Sequence, residues 1–160
     1  MNMNFSDVTN GIRQGLENWE SKLIQLSEDT IMNKRNNQNR TIKQILGHMV
    51  DSASNNIHRM VHLQYQDCPM KFPNYATNGN NDRWIAIQNY QNENWQDIIQ
   101  LWKYSHLHWI YVVKNVNQDK LVNEWISESE YGNIQLKDMI TDFLRQFRLH
   151  LSEIQELIDK

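Results

Sequence analysis

Apolar residues recur at helical spacing in four stretches of this chain. Over roughly 6–26, Val8, Ile12, Leu16, Trp19, Leu23 and Leu26 fall on one face of a helix. The polar run EDTIMNKRNNQNR then reads as a connection. Thr41, with Gln44 three residues later, is a capping-box signature that opens a second helix, TIKQILGHMVDSASNNIHRMVHLQ. A third, NWQDIIQLWKYSHLHWIYVVKNV, carries Trp95, Ile98, Ile99, Trp102, Trp109 and Val113 on one stripe. The fourth spans about 135–159, with Phe143, Phe147 and Ile154 on its apolar face.

What lies between the helices sets their order. Both prolines, Pro69 and Pro73, fall in 67–92, a long loop with room for a short helix near 84–90. Loops of this length in a compact domain are functional or cross from one end to the other. The segment NQDKLVNEWISESEYGN alternates enough for a small hairpin. Four helices with one apolar stripe each bury those stripes most simply in an all-α four-helix bundle, a single domain over 1–160. The modest first connection predicts antiparallel first and second helices. The long loop lets the third run parallel to the second, with the fourth opposed to both: up-down-down-up.

Composition narrows the function. Apolar residues make up 39% and charged residues 22%, a globular balance. Net charge is −3 and the Lys and Arg residues are scattered, so no nucleic-acid partner is expected. A lone cysteine, Cys68, rules out an internal disulfide framework and suits a reducing compartment. The opening MNMNFSDVTNGIRQG lacks an apolar core for a secretion signal, and the longest apolar run, WIYVV, is too short to span a bilayer. These features predict a soluble cytoplasmic protein without a membrane partner. No Gly-rich phosphate loop and no Gly-flanked nucleophilic serine occurs.

The histidines carry the candidate chemistry. His48 lies about seven residues into the second helix and His150 about eight from the end of the fourth. At ~1.5 Å rise per residue, antiparallel packing puts both imidazoles at nearly one height. Two imidazoles at one level are half of a metal site, and a third donor would come from i±4 on the same helix. Gln146, in a seam with Asp142 and Glu153, stands one turn before His150. A helical wheel puts His48 beside Ser52 and Asn55, outside the apolar arc, which predicts a groove at the bundle margin open to small molecules. Three arrangements remain open: weak metal binding through His48, His150 and the Gln146 oxygen; completion by His106, Asp51 or Glu153; or two histidines that are simply hydrogen-bonded. His58 and His62 in HRMVH share the polar face with Gln44, Asp51 and Asn55 and read as a chance exposed pair, and His108 as a partly exposed residue. Trp95, Trp102 and Trp109 read as core.

Three blocks, TIKQILGHMVDSASNNIHRM, DRWIAIQNYQNENWQDIIQLW and LKDMITDFLRQFRLHLSEI, resemble the signature blocks of the DinB/YfiT-like superfamily across roughly 5–158. The resemblance implies a small four-helix bundle and a metal-dependent hydrolase, or a thiol-dependent transferase or isomerase, acting on a small molecule. It also implies a nickel or zinc ion held by three histidines, and a homodimer. His48 matches the histidine of the LGH block, and His150 the second histidine of an H-x-x-x-H pair. Gln146 stands where the first is expected, and an amide oxygen is a poor replacement for imidazole toward these ions. The tryptophan expected before the second helix is also missing, with Arg40 nearby. Asp51 and Glu153 are candidates for a hydrogen-bond partner of a ligand or a general base.

Overall fold

A computed structural model describes residues 2–160. Its elements run α1 (Ser6–Ile24), α2 (Glu28–Asn33), α3 (Ile42–Tyr65), β1 (Met70–Lys71), α4 (Asn80–Gln88), α5 (Trp95–Lys114), β2 (Glu124–Ile126), β3 (Asn133–Gln135) and α6 (Leu136–Asp159). Single 3-10 turns lie at Tyr90–Asn92 and Gln118–Lys120.

The four predicted helices are α1, α3, α5 and α6. Local chemistry starts two of them. In α3 the Gln44 amide donates to Thr41 Oγ1 at 3.3 Å, and the Thr41 amide donates back to Gln44 Oε1 at 3.0 Å, which satisfies two helix-start donors. In α5 the Asn94 side chain accepts from the Asp97 amide at 3.1 Å.

Contacts between the helices give their directions. At one end Lys103 pairs with Glu20 and the Trp95 indole donates to Leu23 O, while at the other the Met3 amide meets Gln118, so α1 and α5 are antiparallel. Gln64, near the end of α3, accepts from the Asn117 amide just past α5, and Thr41 meets Gln91 at the opposite end; α3 and α5 run parallel. Gly11 lies against Leu144, Gly15 against Phe147, and Lys22 bonds Gln155, so α1 and α6 run parallel. The topology is up-down-down-up. Across the core Trp102 stacks on Phe147 (planes 5° apart) and Trp109 on Phe143 (centroids 4.2 Å apart), each pair worth ~1 kcal/mol beyond its buried area.

Between α5 and α6, β2 and β3 form the expected hairpin with Trp125 opposite Ile134. β1, from the 67–92 segment, adds in parallel to β2, giving the order β1-β2-β3. This small sheet caps one end of the bundle.

Three expectations are corrected. The first connection contains a short helix, α2, capped by Ser27 and anchored by buried Ile31. Asp51 and Asn55 are buried, not exposed, because α4 and the Tyr90 turn cover that face of α3. The short helix of the long loop starts earlier than 84, at Asn80, and Arg40 at the foot of α3 is buried and bonds its Asp82 at 2.7 and 3.0 Å.

Candidate functional site

Because α3 and α6 are antiparallel, His48 in the second turn of one meets His150 in the second half of the other. Their rings meet edge to face, centroids 4.9 Å apart and planes at 89°. The groove expected at this margin is deeper than the wheel implied: His48 is only 6% exposed. Tyr75, from the long loop, covers it with its ring centroid 6.0 Å away.

His48 Nδ1 is buried without a hydrogen-bond partner. Burial, then the neighbouring His150 and Arg40, pull its pKa down to about 3. The ring is therefore neutral at physiological pH, with a lone pair free to act as a donor. His150 Nδ1 lies 2.9 Å from Glu153 Oε2, one turn on. A carboxylate on that nitrogen fixes the ring's orientation and tautomer and leaves Nε2 for a ligand.

Both imidazoles open onto a cavity of about 520 Å³ whose wall also includes Gln146, Arg59, Tyr75 and Trp125. His48, His150, Gln146 and Glu153 thus come together. Asp51 does not join them: its Oδ1 accepts from the Tyr90 hydroxyl and the Gln88 amide, both at 2.7 Å, on the α4 side of α3. Burial raises its pKa above the usual carboxylate value. His106 is also elsewhere, 1% exposed between Phe143 and Phe147, its Nδ1 2.7 Å from Trp102 O. Burial pulls it down to about 4. His58 is exposed, its ring 6.5 Å from that of His62, whose Nδ1 lies 2.8 Å from the Tyr65 hydroxyl. His108 is exposed, Trp102 and Trp109 are fully buried and Trp95 is half-buried.

Arg59, Tyr75 and Trp125 were not singled out from the sequence. His48, Ser52, Asn56 and Arg59 follow one another at spacings of four, four and three, but α3 also carries Gln44, Asp51, Asn55 and His58, so this polar line does not stand out. Nothing local marks Tyr75, which reaches the cavity from the long loop, or Trp125, which reaches it from β2.

As a metal centre the donor set fits in part. Two imidazoles suit nickel or zinc, and the Glu153–His150 pair is the usual support for such a ligand. Gln146, which shares the cavity wall with the two imidazoles, could offer only an amide oxygen, and no group of three His, Cys, Asp or Glu side chains gathers among the described residues.

No family model matches the chain, and no curated protein matches it in sequence. Among solved structures it resembles YfiT from Bacillus subtilis, described as "a probable metal-dependent hydrolase with an unusual four-helix bundle topology". The TM-score is 0.76 at 16% identity, over 97% of this chain and 87% of that one. It also resembles a mycothiol-dependent maleylpyruvate isomerase, with TM-score 0.74 and 12% identity over 95% of this chain. A mutant of that isomerase gives 0.73. This chain spans only 61% of the isomerase's length. These likenesses show the fold: a four-helix bundle of the kind found in YfiT.

Proposed function

We propose that the cavity is the active site of a metal-dependent enzyme acting on a small molecule, as a hydrolase or as a transferase of a low-molecular-weight thiol. The observation that carries this reading is the pair of facing imidazoles, one with a buried unpartnered nitrogen, on the wall of a cavity large enough for a substrate. His48 and His150 would hold a divalent nickel or zinc ion, with the Gln146 oxygen as a weak third donor. Such an ion supplies Lewis acidity and makes a nucleophile available at neutral pH. His48 stays unprotonated because it is buried. Glu153 pairs with His150 Nδ1 and so would orient the ring towards the ion. Tyr75 and Trp125 give the cavity an aromatic wall.

Metal analysis of protein purified without a polyhistidine tag tests this. One equivalent of nickel or zinc after loading, lost in His48→Ala, is the expected result. Gln146→His is expected to tighten binding by about tenfold or more, since imidazole is the better donor for these ions. A second reading, a metal-free small-molecule-binding module, is favoured by the missing third strong donor. Wild-type protein that stays metal-free after loading supports it and overturns the first.

A further inference from the structure

Arg59 is 4% exposed and has no acidic partner. Nε and Nη2 are both sealed from water without an acceptor. Its guanidinium carbon lies 3.8 Å from the Trp125 ring centroid, 5.2 Å from that of Tyr75 and 5.8 Å from that of Phe72. Aromatic faces hold the cation in place but accept none of its in-plane N–H bonds. The carboxylates that share the cavity lining leave it unpaired: Asp138 makes no bond to it, and Asp142 is held by Arg145 at 2.6 and 3.0 Å. Burial pulls Arg59 down only to about 10, so it is charged at neutral pH.

A buried cation with unfilled donors is expensive to keep, and removing one is usually neutral or stabilising for a fold. Its retention here is explained by a partner that arrives from outside. We propose that Arg59 is an anion-binding residue of the cavity, seating the carboxylate of an organic acid whose remaining part extends towards His48 and His150. This rests on the reading of the cavity as the substrate site and adds the substrate's chemical class.

Geometry selects the class. A guanidinium offers two parallel N–H groups along its edge, which match a planar carboxylate. The cavity wall carries Arg59 and Arg145 with Asp138 and Asp142; with Arg145 paired to Asp142, the one cation left for a ligand suits a monoanion better than a phosphate dianion. Tyr75 lies between the two ends, 6.0 Å from the His48 ring and 5.2 Å from the guanidinium carbon, so one small acid spans both. Aromatic walls favour an apolar body between the acid group and the reacting end.

The test uses 4-phenylbutyrate, its neutral amide and inorganic phosphate as probes, titrated calorimetrically at fixed ionic strength into metal-loaded and chelator-treated protein. The acid is expected to bind about tenfold or more tighter than the amide, and tighter than phosphate. Arg59→Met is expected to lose that preference and to melt at the same temperature as the wild type or higher. Arg59→Lys keeps part of the preference, because a point charge attracts the acid without forking onto it. Equal binding of acid and amide, or no binding of the acid at millimolar concentration, overturns the proposal. So does phosphate binding as well as the acid, or a preference that survives Arg59→Met and disappears in His48→Ala. Should Arg59→Met fail to fold, an undiminished preference in Arg59→Lys overturns it too. An acid preference in protein that takes up no metal would sink the metal reading and leave this one standing; metal uptake without the preference does the reverse.

Discussion

His106 and His48 are held as neutral rings, which makes the fold sensitive to acid. Burial pulls them down to about 4 and about 3, from an ordinary value of 6.5. Below that value the unfolded chain takes up protons that the folded one refuses, so stability falls as pH drops from about 6.5 towards 4. For His106 the loss reaches about 3 kcal/mol. Asp51 works the other way. Its carboxyl is raised by burial, so the folded state binds that proton more readily and its contribution grows in acid. Urea unfolding at about pH 7 and about pH 4.5 measures the net effect. His106→Leu is expected to lose less stability than the wild type between the two; an equal loss would show that this ring does not drive the effect. At this scale the sequence marked His48 and His150 by position alone. It did not mark Arg59, because an arginine between two histidines in HRMVH looks like any solvated charge.

Within α3, the close approach of a neighbouring turn matters more than helix propensity. The Tyr90 ring lies directly on Gly47: a β-carbon there would come within 2.3 Å of it. The same tyrosine's hydroxyl holds Asp51 at 2.7 Å. Gly47→Ala would gain up to about 1 kcal/mol of helix propensity. It is nevertheless expected to destabilise the protein by about 1–3 kcal/mol, because Tyr90 must move and leave a buried carboxylate short of a donor. Thermal or urea unfolding measures this, and a variant more stable than the wild type would refute the packing. The helices themselves were legible, since caps such as Thr41–Gln44 and stripes such as Trp95–Trp102–Trp109 depend on residues within a few turns. Missed were α2, held by the burial of Ile31, and the covered polar face of α3, which exists only because α4 lies over it.

For the whole molecule, the long 67–92 segment lets α3 and α5 run parallel, and it also supplies the cavity wall at Tyr75. One excursion of the chain thus serves both topology and site. Among the described residues no helix is long and apolar enough to cross a membrane. The homodimer implied by the resemblance is a separate expectation: sedimentation over a range of concentrations should show a dimer, and a monomer throughout would overturn it. By itself the sequence determined four helices, their inward faces, their order and the shared height of residues 48 and 150, because helical period, capping and connection length are properties of neighbouring residues. Only the tertiary structure decided which polar groups are buried. Arg40, Asp51 and Arg59 carry no local mark of burial; distant segments cover them, and whether a charge loses its water depends on what folds over it.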